Sequence, residues 1–229
     1  MMIHHGICKA WGITKEELYH VFADAMERLA IKYKYTLDQI KEKLKKQYDG
    51  YHFSDELTDI YNPFSILNVF DSNRIADYWF STGTPTYLIR LLTHTQENLN
   101  ELTGKYYDPS QFIDYKADVE MPLPMIYQSG YFTIKDCDLD MGTFLLDFPN
   151  DEVKKGFVTL VANNYLQSEK DSGSWARDIV GALKTGDLEQ VRKLLTSFLA
   201  DIPYSMRRKE TERERERYFH YTFYLLMRM

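Results

Sequence analysis

Over the first fifty positions apolar residues recur at helical spacing, and each recurrence opens on a capping signal. Thr14 and Glu17 make a capping box, with Ile13 and Leu18 at the staple positions and Leu18, Phe22, Ala25 and Leu29 on one face. Thr36 and Gln39 repeat the box, with Tyr35 and Ile40 as the staple. Leu37, Ile40, Leu44 and Tyr48 form that stripe, and Gly50 supplies the stop. Asn62-Pro63 and Thr84-Pro85 read as N-cap and first helical residue. Phe64, Leu67 and Phe70 or Val69 would line the first of these helices, and Leu88, Leu91 and Leu92 the second. From Gln96 to Val119 the pattern fades into polar, Asn- and Tyr-rich sequence, a loop holding one short helix.

The texture changes at Met121. Pro122 to Gly130 predicts a short helix closed by glycine. Tyr131 to Asp136 and Thr143 to Phe148 predict strands joined by the turn Cys137 to Gly142. Asn150 caps a helix whose face is Val153, Phe157, Leu160, Val161 and Tyr165. Helix, hairpin, helix is a winged-helix-like outline over 121–167. After a polar linker come two helices, with Trp175, Ile179 and Leu183 on the first and Val191, Leu194, Leu195 and Phe198 on the second. Asp187 and Gln190 form a box between them. Arg207 to Arg217 alternates basic and acidic residues. Tyr218 to Met229 turns apolar, with Phe219, Phe223 and Leu226 on its face and no cap at the end, so the natural product is expected to continue. The expected fold is mainly α with a small β-hairpin.

Composition narrows the class. The 229 residues are 44% hydrophobic and 27% charged, the balance of a globular protein. No apolar run approaches the roughly 18–20 residues that cross a bilayer, no secretory signal opens the chain, and Cys8 and Cys137 make no CxxC pair. These point to a cytoplasmic protein with no membrane partner. The net charge of −6 is uneven: residues 51–204 carry 12 basic and 23 acidic side chains, whereas 205–229 carry 7 basic and 4 acidic. The middle would repel a phosphate backbone, and only the ends would attract one.

Catalytic signatures do not emerge. A phosphate loop needs two glycines and a lysine, which neither Ser172-Gly173-Ser174 nor Thr185-Gly186-Asp187 supplies. Asp138, Asp140 and Glu152-Val153-Lys154 imitate a nuclease set, but the aspartates fall in the turn and Glu152 and Lys154 in a first helical turn, where the helix dipole favours acids. His4, His5, His20, His52, His94 and His220 show no metal-ligand spacing. Ser129-Gly130 and Ser81-Thr82-Gly83 lack the flanking glycines of a nucleophile elbow. The expectation is a chain that is not an enzyme, with no catalytic, cofactor or metal residues. Two stretches are more distinctive, Tyr48 to Ser54 with Tyr61 to Ser65, and Tyr78 to Pro85. They read as aromatic packing around turns, or as a polar-aromatic surface. On the second reading Tyr51, His52, Asn62, Ser81, Thr82 and Gly83 are interface candidates. Arg213, Arg215 and Arg217 are candidate nucleic-acid contacts, against the reading of a solvated helix face.

The ordered blocks Ile13 to Leu18, Tyr48 to Ser54, Tyr61 to Asn68, Tyr78 to Tyr87, Tyr127 to Lys135 and Phe148 to Phe157 resemble those of bacterial AAA-ATPase-like proteins that carry a C-terminal PD-(D/E)xK nuclease-like domain. Ile202-Pro203-Tyr204 and Tyr218 to Leu226 resemble the start of that attached domain. The resemblance implies a helical, ATPase-lid-like region over 1–120, a winged-helix-like unit over 121–167 and the first helices of a nuclease-like domain over 171–229. It places the phosphate loop upstream and the nuclease carboxylates downstream, so ATP and Mg are implied for the parent only. Glu216 would be at most a helper in a complete nuclease-like domain. The implied partners are the missing ATPase core and nuclease-like domain. An interdomain coupling role follows, with a nucleic-acid-binding module or a self-associating interaction module as alternatives.

Overall fold

In a computed structural model the described residues are 12–52, 56–82, 99–113, 121–166, 172–201 and 212–228. The chain is mainly helical with one small antiparallel sheet. It divides into two compact units after Lys154.

The first unit opens with α1 (Lys15–Val21), α2 (Ala23–Tyr33), α3 (Leu37–Tyr48) and α4 (Pro63–Ser72). Both predicted capping boxes are present: Glu17 N–H donates to Thr14 Oγ1 at 3.2 Å while Thr14 N–H donates to Glu17 Oε2 at 2.8 Å. Thr36 and Gln39 match them at 2.9 and 3.2 Å. The single helix expected from Thr14 bends at Phe22, whose backbone leaves the helical region. Leu18, Met26, Leu29, Ile40, Leu44, Tyr48, Tyr61, Ile66 and Val69 form the core of these four helices.

α4 turns inward only part of the expected face, Val69 and Phe70. Ser65, Ile66, Val69 and Phe70 are buried, while Phe64 and Leu67 are 43% and 50% exposed. A nearly continuous apolar run defines no unique stripe, so tertiary partners choose the face. The expected Thr84-Pro85 helix lies outside the described residues.

After a 3-10 turn (Trp79–Thr82) come α5 (Leu99–Leu102), β1 (Lys105–Tyr107), α6 (Pro109–Phe112), α7 (Pro122–Gln128), β2 (Thr133–Asp138), β3 (Thr143–Asp147) and α8 (Asp151–Leu166). The predicted hairpin is β2–β3, paired from Thr133↔Asp147 to Asp138↔Thr143. A third strand, in what read as loop, pairs Lys105 with Leu146 and Tyr107 with Phe144, giving the order β1-β3-β2. Three residues are too few to display alternation. The β2 register slips between Ile134 and Asp136, so Lys135 sits in a bulge.

α8 crosses into the second unit, and α9 (Ser172–Thr185), α10 (Leu188–Asp201) and α11 (Glu212–Arg228) follow. α8 buries Val153, Phe157 and Val161 as expected, together with Val158 and Ala162. Trp175 of α9 packs on Phe198 of α10, ring centroids 4.8 Å apart, and donates its indole N–H to Leu194 O at 3.0 Å. Ala182, not Leu183, is the buried residue at the end of α9. The Asp187 box is half made. Gln190 N–H reaches Asp187 Oδ1 at 2.9 Å, but Asp187 N–H is taken by Ala182 O. On α11 Tyr221, Thr222 and Leu225 are buried, while Phe219 and Phe223 of the expected face are 42% and 55% exposed. No helix among the described residues is long and apolar enough to cross a membrane.

Candidate functional site

The C-terminal end of α3 exposes carbonyls that its own helix cannot satisfy. Tyr48 O accepts from Asn62 N–H at 3.0 Å, and Asp49 O accepts from Asn150 Nδ2 at 3.0 Å. Gly50 O accepts from Lys135 Nζ at 3.0 Å, and the same ammonium donates to Pro149 O at 2.8 Å. The bulge in β2 aims Lys135 at this point, as bulges commonly re-aim a side chain. Burial lowers the Lys135 ammonium, and Asp59, Asp147 and Asp49 partly oppose that shift. Asn150 also accepts Val153 N–H at 3.1 Å, so one residue caps α8 and closes α3.

Glu152, in the first turn of α8, is fully buried. Its Oε2 accepts from Ser65 Oγ at 2.7 Å, and its Oε1 accepts from Tyr78 N–H at 2.5 Å and Trp79 N–H at 3.0 Å. Burial raises its carboxyl, against the pull of these three donors. The segment it holds, residues 74–79 running from the end of α4 into the 3-10 turn, is fastened from side to side. Ile75 N–H donates to Tyr33 Oη at 3.0 Å, and Gln47 Nε2 donates to Asp77 Oδ1 at 2.6 Å. Tyr48 Oη donates to Ala76 O at 2.7 Å and accepts Ala76 N–H at 3.1 Å. Tyr48→Phe therefore orphans two backbone groups and is expected to cost about 2 kcal/mol. Urea melts would show it, and a loss below about 0.5 kcal/mol would mean that Tyr48 does not hold the strap.

His52 joins β2 to this junction. Its backbone N–H donates to Thr133 Oγ1 at 2.7 Å, and that hydroxyl donates to His52 O at 2.8 Å. Nδ1 lies 2.6 Å from Ile134 O, a pure acceptor, so Nδ1 carries a proton, and Nε2 lies 2.7 Å from Asp59 Oδ1. Trp79 packs edge-on against Tyr131 with centroids 4.8 Å apart.

Of the expected interface residues, Tyr51 and His52 are buried and Asn62 is half-buried, capping α4 through Ser65 N–H at 3.2 Å. Ser81 and Thr82 lie in the 3-10 turn, and Gly83 lies outside the described residues. Positions 213 and 217 of α11 share a side of the helix, and position 215 lies opposite. Glu216 is exposed on α11. In the imitation of a nuclease set, Asp138 Oδ1 accepts Asp140 and Met141 N–H within the hairpin turn, remote in role from the engaged Glu152. Among the described residues no group of three His, Cys, Asp or Glu comes together to hold a metal ion. The sequence signalled Asn150 as a cap. It gave no sign that Glu152, beside it in an acidic first turn, faces inward, or that Lys135 is bulged.

No protein-family model matches this chain, and no solved structure does. Among curated proteins it is similar to an "Uncharacterized protein in vnfD 5'region" of Azotobacter chroococcum mcd 1, at 26% identity over 215 residues. The match covers 93% of this chain and 39% of that relative, so the chain spans well under half of the relative's length.

Proposed function

We propose that this chain is the non-catalytic connecting region of a longer ATPase-like and nuclease-like protein, with a role in coupling the parts on either side. One observation carries the reading. The residues that make its sequence distinctive are spent on one another: Glu152 ties α8 to Ser65 of α4 and to the Tyr78–Trp79 turn, and Asn150 and Lys135 tie the turn before α8 to the end of α3. Such a network fixes elements relative to each other, as a connector requires. The partners in this reading are the ATPase core and the nuclease-like domain of the parent, and ATP and Mg belong to that core.

Purified chain is expected to hydrolyse Mg-ATP no faster than a mock preparation. Hydrolysis that co-elutes with the chain through two unrelated purifications would overturn the non-catalytic reading.

A further inference from the structure

Beside the Lys135 junction, within the first unit, lies a cleft of about 360 Å³ walled by the end of α3, the Phe148–Asn150 turn and the first turn of α8. Four lysines and four aspartates line it, yet their bonding is not symmetrical. Three of the acids are engaged. Asp59 bonds His52 and lies 3.7 Å from Lys45, Asp151 lies 3.4 Å from Lys46, and Asp147 accepts Phe148 N–H at 2.7 Å. The fourth, Asp49, is buried with its Oδ1 sealed from solvent and unpartnered, and burial raises its carboxyl. The lysines are not all engaged. Lys135 uses two of its three protons, on Gly50 O and Pro149 O. Lys154, half-buried one turn into α8, has no side-chain hydrogen bond or ion pair among the described residues. Because Asp49 Oδ1 is closed off from solvent, the bonding capacity that the cleft offers a ligand is chiefly that of cationic donors.

We propose that this cleft binds a small oxyanion, a carboxylate or phosphate group, through Lys135 and Lys154. Lys135 presents a preorganised donor, because two carbonyls already fix its ammonium. Lys154 supplies a second charge that no side-chain bond engages, and charge-assisted N–H···O bonds are the stronger kind. The volume admits the group together with a few attached atoms, so a small metabolite fits better than a polymer.

An NMR titration of the whole chain with inorganic phosphate and, separately, with acetate tests this, ionic strength being held constant with chloride. Saturable shifts are expected at the amides of Gly50, Asn150 and Asp151. Saturation by phosphate with acetate silent would assign a phosphoryl ligand, and the reverse a carboxylate. Lys154→Met keeps the stem and removes the charge, so the fold is expected to persist while binding weakens at least about tenfold. Lys135→Met is the second variant, informative where it folds. Shifts that never saturate, or equal affinity in Lys154→Met, would overturn the proposal.

Discussion

Glu152→Ala is expected to destabilise the first unit by about 3–5 kcal/mol, whereas Glu152→Gln is expected to stay within about 1 kcal/mol of the parent. Alanine strands the buried Ser65 hydroxyl and the Tyr78 and Trp79 N–H groups, whose bonds to Glu152 are partly buried. Each orphaned buried group costs about 1–3 kcal/mol, and the loss of a desolvated carboxyl returns part of that. Glutamine preserves the arrangement. Its Oε1 accepts the same two N–H groups, and its Nε2 donates to Ser65 Oγ, which can accept as readily as it donates.

The two variants also separate in pH dependence. Burial raises the Glu152 carboxyl above its ordinary value of 4.5, so the folded chain holds this proton more tightly than the unfolded chain does. The stability from that group is full below the ordinary value and is lost as pH rises through the raised one. Glutamine has no such titration. The parent is therefore expected to lose ground to Glu152→Gln as pH rises from the ordinary carboxyl value through the raised one. Urea melts of the three proteins across that range would decide it. Alanine within about 1 kcal/mol of the parent, or glutamine as harmful as alanine, would refute the account of Glu152.

What could be read from the residues was what local rules govern. Thr14, Thr36, Asn62 and Asn150 announce helix starts because the capping bond lies within three residues of the cap, and all four are made. The hairpin was legible because Tyr131 to Phe148 is β-prone with a turn between. The face of α4 was not. It is set by Ser65 meeting Glu152, 87 positions away, and no periodicity within one helix encodes that. The exposed Phe219 and Phe223 on α11 show the same limit, since both sides of that helix carry apolar residues and packing alone selects one. Of the candidate site, Tyr51, His52 and Asn62 were legible as distinctive, but the bonds of His52 to Thr133 and Ile134, of Asn62 to Ser65 and of Tyr51 N–H to Ile60 O were not. Lys135 lay within a recognised block, yet its importance depends on a register slip that only strand pairing creates.

Gly50 was legible as a helix stop, and the structure gives it a second and more demanding task. Its φ is +91°, in the region that L side chains rarely adopt, and a Cβ there would stand 2.5 Å from Pro149 O and 2.9 Å from Lys135 Nζ. The lysine end could swing aside, but the Pro149 carbonyl is backbone. It precedes Asn150, which is bonded to Asp49 O and caps α8. Relieving the clash therefore means moving the turn, and with it the Lys135 bonds and the start of α8. Gly142, in the hairpin turn, isolates the conformational part of the cost, for it has φ +64° with nothing within 4 Å of a Cβ. Gly142→Ala is expected to cost about 1 kcal/mol, the left-handed strain alone. Gly50→Ala is expected to cost about 3 kcal/mol or more, strain plus the displaced carbonyl, a large share of the roughly 5–15 kcal/mol that holds a domain folded. Melting curves of the two alanine variants give the comparison. Equal losses at the two positions would mean that the turn yields freely, and that the junction around Lys135 is not the rigid link described.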